Sequence, residues 1–227
     1  MTNFSMMKYD PNLSSISVFD KYLLALTEYT KLPLEEIERL GHLEAEFKEQ
    51  FTSGIITDPQ KIRELYQNSD AYMFANPFYY KDNFEQRWER FWKPIKERPG
   101  SVLDYGCGAG VIDEYLLRMG ITDITLCDLH SPTWKFVKFF FGNRVKYEED
   151  VDNLTGKYDY IICNSVLEHI PDPLRVVKMW GEHLTERGRI INSMATDVGG
   201  PHLKVSIDQY NEVLKTIYLI NKDNYGN

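Results

Sequence analysis

The residues best placed to do chemistry lie between Asp104 and Asp172. Val102-Leu103-Asp104-Tyr105 reads as a short buried strand, and Gly106-Cys107-Gly108-Ala109-Gly110 follows it as a turn that opens a helix. Glycines in such a turn let the backbone approach a ligand where a Cβ would collide with it. The free N–H groups at the start of the helix suit an anionic end, such as a carboxylate. A dinucleotide fingerprint needs a glycine at the position of Val111, three after Gly108. Here the third glycine is Gly110, and the G-x-G-x-G spacing favours a smaller ligand. That spacing counts against a nicotinamide oxidoreductase.

Asp128 ends a second expected strand, 22 residues after Gly106. A carboxylate there can accept hydrogen bonds from both hydroxyls of a ribose. Capping the next helix through Ser131-Pro132 is the other use for it, and the glycine turn at this spacing favours the ribose. After a third strand, Glu149-Asp150-Val151 could offer a carboxylate to an adenine amino group and a backbone N–H to a ring nitrogen. An exposed acidic loop is the competing reading, since Glu148 and Asp152 extend the charge run. A fourth strand, Tyr158–Asn164, feeds into the cleft and continues into Val166-Leu167-Glu168-His169-Ile170-Pro171-Asp172-Pro173. His169, where that strand leaves the cleft, and His202, just after Gly199-Gly200-Pro201, are the candidate general bases. His183 falls inside a helix and reads as a packing residue. The aromatic segment Tyr72, Phe74, Phe78, Tyr79 and Tyr80 is either a lid offering π faces to a cationic ligand or plain packing of a helical layer.

Two kinds of patterning must position these groups, and they meet near Pro99-Gly100. Residues 99–227 alternate strand and helix. Strands are expected at 101–105, 124–128, 144–147, 158–164 and 189–194, with helices at 111–118, 132–141 and 172–184 between them. Such alternation predicts an α/β fold, a doubly wound and mostly parallel sheet with its ligand beyond the carboxyl ends of the strands. Residues 1–98 read as a helical cap. Val18, Tyr22, Ala25, Leu26 and Tyr29 recur at helical spacing, Pro33 and Pro59 suit first helical turns, and Pro94 is expected to end or kink a helix begun near Asn83. Asn76-Pro77 predicts a loop or broken helix over 71–80. After Met194 a helix at 207–214 and one more strand at 216–220 are expected, so the sheet reads as abbreviated at its C-terminal end.

Composition narrows the function classes. The chain has 227 residues, 43% hydrophobic and 26% charged, with a formal net charge of −8. Disorder and collagen-like structure are excluded, and an acidic chain is a poor ligand for nucleic acid. Cys107, Cys127 and Cys163 match no zinc spacing and suit a reducing, cytoplasmic compartment. Residues 1–10 lack the apolar core of a signal peptide, and no apolar run is long enough to span a membrane.

In order and spacing, the glycine turn, Asp128, the Glu149–Val151 stretch and the fourth strand resemble the class I S-adenosylmethionine-dependent methyltransferases. The likeness is strongest to the branch with small-molecule acceptors, as in ubiquinone and menaquinone biosynthesis. It spans about residues 100–195 and implies a Rossmann-like fold with S-adenosylmethionine as cofactor. By the resemblance, Gly106, Cys107 and Gly108 line the methionine end and Asp104 orders the turn. Asp128 takes the ribose, Leu129 packs near the adenine, Asp150 and Val151 take its edge, and Asn164 lies beneath the cofactor. Tyr80 belongs to the lid, and Arg87 is a candidate partner for the cofactor carboxylate. Some quinone-pathway relatives bind a metal through Glu-x-x-Glu-His; here Ser165 stands in the first position, so no metal is expected. The implied activity is methyl transfer to O, N or C of a small organic acceptor. A protein side-chain methyltransferase and a non-catalytic cofactor-binding relative are the alternatives. The apolar cap leaves room for a homodimer.

Overall fold

The computed structural model describes residues 9–42, 58–81, 84, 88–194 and 207–225. Among the described residues, five helices precede the first strand: α1 (Val18–Thr30), α2 (Leu34–His42), α3 (Pro59–Asn68), α4 (Ala71–Tyr79) and α5 (Glu89–Glu97). Then follow β1 (Val102–Tyr105), α6 (Val111–Arg118), β2 (Ile124–Cys127), α7 (Pro132–Phe141) and β3 (Lys146–Glu148). The chain closes with β4 (Tyr158–Asn164), a 3-10 turn (Leu167–His169), α8 (Pro173–Glu182), β5 (Leu184–Ser193) and α9 (Ile207–Tyr225).

The sheet order is β3-β2-β1-β4-β5, and every pairing is parallel. The chain winds outward from β1 to β3 and then returns to the other side of β1. The strand order therefore reverses between β1 and β4, which opens a crevice at their carboxyl ends. Alternation along the strands divides the core in two. Val102, Ile124, Leu126, Tyr160 and Ile162 face the cap, α6 and α7. Leu103, Tyr105, Cys127, Ile161 and Cys163 face α8 and α9.

Local chemistry explains the helix starts. Asp58, Ser131 and Asp172 each accept a hydrogen bond from a backbone N–H of the following first turn, and each precedes a proline at the first helical position. Because Ser131 caps α7, Asp128 is not needed for that task.

Four expectations change. First, residues 71–79 form a continuous helix through Pro77. The proline sits near its end and forgoes one intrahelical bond. Burial of Met73, Phe74 and Ala75 offsets that loss. Second, α5 passes through Pro94, whose carbonyl accepts from the Arg98 N–H and the Tyr160 hydroxyl. The expected helix start at Asn83 lies outside the described residues. Third, β5 begins at Leu184, paired with Tyr158, and resumes at Arg189, paired with Tyr160, so residues 185–188 bulge from the ladder. Fourth, residues 207–225 are one helix, with no strand at 216–220. Val213, Ile217 and Ile220 recur at helical spacing and pack on the α8 side of the sheet. The edge of β5 meets this helix: the Asn221 side-chain amide donates to the Ile190 carbonyl and accepts from the Ile190 N–H, at 2.9 and 2.8 Å. One side chain thus takes the place of a neighbouring strand at that residue.

Candidate functional site

A cavity of about 750 Å³ opens at the switch point between β1 and β4. One wall is the glycine turn. Gly106, Gly108 and Gly110 have φ values of 77°, 56° and 73°, the left-handed region that a Cβ disfavours. Packing adds a second requirement. A Cβ would stand 2.4 Å from Val166 at Gly106, 2.4 Å from the Asn76 Oδ1 at Gly108 and 2.5 Å from Phe141 at Gly110. The close approach that demands glycine here is made by the protein's own side chains.

The cap holds this turn from two sides. The Ala109 N–H donates to the Asn76 side chain of α4 at 2.9 Å, and its carbonyl accepts from the Tyr22 hydroxyl of α1 at 2.7 Å. One turn beyond Asn76, Tyr80 reaches the end of β4, where its hydroxyl accepts from the Asn164 side-chain amide at 2.6 Å. The Asn164 oxygen in turn accepts from the Ser193 hydroxyl of β5. α4 therefore ties the ends of β1 and β4 together across the crevice.

Asp128 occupies the end of β2. Its carboxylate accepts from the Gly108 N–H at 2.7 Å and from the Leu129 N–H at 2.6 Å. Burial pushes its pKa up to about 6, against the lowering effect of these two donors. Asp104 lies behind the turn, on the sheet face beneath α6, and is 2% exposed. Its neighbour is Asp113 from the first turn of α6, fully buried. Burial raises both carboxyl pKa values, Asp104 to about 7 and Asp113 well above its ordinary range. Burial is the main cause for both, and the Asp104 charge adds to the rise at Asp113.

The opposite wall carries Tyr66 and Arg63 from α3, Tyr72 and Tyr79 from α4, and Glu168 and His169 from the 3-10 turn. The Tyr66 hydroxyl lies 3.1 Å from the Tyr72 hydroxyl and 3.1 and 3.2 Å from the two His169 ring nitrogens. Ser165 also lines the cavity and holds a left-handed φ of 55°, turning the chain out of β4 so that Val166 meets Gly106. Such a conformation is uncommon for a residue with a Cβ and is typical of functional loops.

A family model for the methyltransferase domain matches residues 78–211. The chain belongs to the methyltransferase-domain family. Relatives include a ubiquinone biosynthesis O-methyltransferase of Bordetella avium, 36% identical over 97 residues, 37% of this chain and 40% of that protein. Another of that name, from Escherichia coli, is 33% identical over 112 residues, 44% of this chain and 46% of that one. The chain thus spans less than half the length of these relatives. Among solved structures, the 1,6-didemethyltoxoflavin-N1-methyltransferase of Burkholderia thailandensis shares the fold. Its TM-score is 0.54 at 20% identity, covering 72% of this chain and 80% of that one.

With the family in hand, the expected site residues can be placed. Gly106, Cys107, Gly108, Asp128, Leu129, Val151, Asn164, Tyr80 and His169 all line one cavity. Asp104 stands behind the turn. Asp150 does not line the cavity; its carboxylate accepts from the Asp152 N–H and the Asn153 side chain, and Val151 and Asp152 form the wall instead. Glu149 turns toward α7, where it accepts from the Trp134 indole. His183 bonds the Gly156 carbonyl at 2.7 Å, away from the cavity. Arg87 and His202 lie outside the described residues. The aromatic segment divides its duties: Tyr72, Tyr79 and Tyr80 line the cavity, while Phe74 and Phe78 pack in the core. Asn76, Tyr66, Tyr22 and Asp113 were not legible as site residues. Asn76 carries turn chemistry in sequence, and an acid in a first helical turn ordinarily faces solvent. Among the described residues no helix is long and apolar enough to cross a membrane.

Proposed function

We propose that the chain transfers a methyl group from S-adenosylmethionine to a small organic acceptor. The observation that carries this reading is one cavity at the β1/β4 switch point, lined by the glycine turn, Asp128 and His169 together. Names among the curated relatives support a small acceptor.

The residues present fit the cofactor. The glycine turn, at positive φ, shapes a concave backbone surface for its amino-acid end. Asp128 has lone pairs beyond the two N–H groups it already serves, and these can accept from ribose hydroxyls. Leu129 and Val151 give an apolar edge for the adenine. Tyr80 and Asn164 form the floor. When bound, S-adenosylmethionine supplies an electrophilic methyl on a sulfonium sulfur. The chain's task is then to hold an acceptor atom in line with that methyl and to keep water out. Tyr66, Tyr72 and Tyr79 wall the acceptor end, and their ring faces favour a sulfonium cation. For a hydroxyl or ammonium acceptor, His169 takes the proton. Cys107, Cys127 and Cys163 are free thiols, which suits a reducing cytoplasm.

Calorimetry with S-adenosylmethionine and with NAD tests the reading, with binding expected for the first alone. Labelled methyl incorporated from cell extract is expected in the low-mass fraction. Label in protein would instead favour side-chain methylation, and binding without transfer to any fraction would make the chain a non-catalytic relative.

A further inference from the structure

Resting on that reading, we propose that Asn76 of α4 binds the cofactor directly. Its side-chain Nδ2, with the Tyr80 hydroxyl one turn on, holds the carboxylate of the cofactor's amino-acid end.

The glycine turn has already spent its backbone donors. The Gly106 and Cys107 N–H groups both donate to the Cys127 carbonyl, at 2.8 and 3.2 Å, and the Gly110 N–H donates to the Cys107 carbonyl at 2.9 Å. The Gly108 N–H goes to the Asp128 carboxylate at 2.7 Å, and the Ala109 N–H goes to the Asn76 Oδ1 at 2.9 Å. Free N–H groups at the start of α6, expected from the sequence to serve an anionic end, do not reach the ligand space. Val111 and Ile112 are buried against the core and do not line the cavity. A carboxylate at this end therefore needs side-chain donors. Among the described residues, the arginines that line the cavity are Arg63 and Arg175, and both serve Asp152.

The end of α4 supplies neutral donors instead. Asn76 lines the cavity beside the turn. A Cβ at Gly108 would lie 2.4 Å from its Oδ1 and 4.0 Å from its Nδ2, which sets the amide over the turn. The bond from Ala109 fixes the amide's orientation, since only the oxygen can accept it. The nitrogen then carries two N–H donors, and among the described residues no protein group accepts from them. Tyr80 also lines the cavity, and its oxygen accepts from the Asn164 amide at 2.6 Å, which leaves its own proton to donate. Burial pushes the Tyr80 pKa well above the ordinary phenol value, so that proton stays in place. Each donor is pinned through its oxygen, Asn76 to the glycine turn and Tyr80 to the end of β4. Donors ordered before the ligand arrives lower the cost of binding it.

The test is calorimetry with two ligands, S-adenosylhomocysteine and its decarboxylated form, which keeps the amine. The ratio of the two affinities reads recognition of the carboxylate alone, because a loosened glycine turn weakens both ligands alike. Wild type is expected to prefer the carboxylated ligand by about tenfold. Asn76→Ala should cut that preference about fivefold, and Tyr80→Phe about threefold. Asn76→Asp keeps an oxygen for the Ala109 N–H and puts an anion in place of Nδ2, so it should reverse the preference. Equal losses for the two ligands in Asn76→Ala make the residue structural and overturn the proposal. An unchanged ratio in Tyr80→Phe strikes Tyr80 from the pair. Should Asn76→Ala lose its thermal transition, Asn76→Asp decides in its place, and an unchanged ratio there overturns the proposal equally. A wild type indifferent to the carboxylate overturns it without any variant. Absent S-adenosylhomocysteine binding by wild type sinks the methyltransferase reading itself. Binding of both ligands with equal strength sinks only the role of α4.

Discussion

Asp128, Asp104 and Asp113 are carboxyl groups whose pKa values burial raises. Asp128 protonates near 6, and the protonated acid is a poorer acceptor for ribose hydroxyls. Binding of S-adenosylmethionine is therefore expected to weaken as pH falls through about 6, and calorimetry across that range checks it. Asp128→Ala should cost about 1–3 kcal/mol of binding at neutral pH, the value of lost partners in a buried site. Unchanged affinity in a folded variant would refute the ribose assignment. Asp104 and Asp113 act on stability. Their folded pKa values lie above the unfolded ones, so the native state holds more protons. Stability from this source is fully present below the ordinary carboxylate range and is lost as pH rises through about 7. Asp113→Asn keeps the shape and removes the titration. The variant should melt above wild type at pH 8 and lose that advantage at pH 5.

At the scale of elements, α4 and α9 do work that their sequences conceal. α4 carries Asn76, and Tyr80 caps its C-terminus four residues on, so one turn reaches both the glycine turn and β4. Asn76→Ala frees the Ala109 N–H and should weaken S-adenosylhomocysteine binding by about 1 kcal/mol, with a smaller change in melting temperature. A melting loss with affinity intact would make Asn76 a packing residue. α9 finishes the sheet through Asn221. Asn221→Leu removes both partners of Ile190 and should destabilise the fold by about 1–3 kcal/mol in urea unfolding. A neutral result would mean that water satisfies that edge.

Across the whole molecule, cap and sheet share one core. Tyr22 of α1 stacks on Phe140 of α7 with ring centroids 4.0 Å apart. Beside them Glu114 of α6 gathers three cations: Lys21 of α1 at 2.8 Å, Arg118 at 3.2 Å and Arg144 at 2.6 Å. Lys21 is 1% exposed, and burial pushes its pKa down to about 8 against the pull of Glu114. Removing the shared anion leaves buried cations without compensation. Glu114→Ala should cost about 3–5 kcal/mol of stability in thermal or urea unfolding, more than any exposed ion pair such as Lys93–Glu89. Equal effects at the two pairs would show that this node is hydrated in solution.

Local patterns determined the parallel α/β core, because glycine spacing, proline-led caps and short apolar runs act over a few residues. Gly106, Gly108, Asp128 and Asn164 were legible for that reason: each ends a strand or follows one within three residues, and strand ends converge on the switch point in this topology. Tertiary structure alone decided the other half of the site. Asn76 and Ala109 are 33 residues apart and Tyr66 and His169 are 103 apart, and no local pattern links either pair. Propensity likewise misread residues 71–79 and 216–220, where Pro77 and a β-branched run suggested breaks. Packing overrode those preferences, since burying an apolar helical face outweighs one forgone backbone bond.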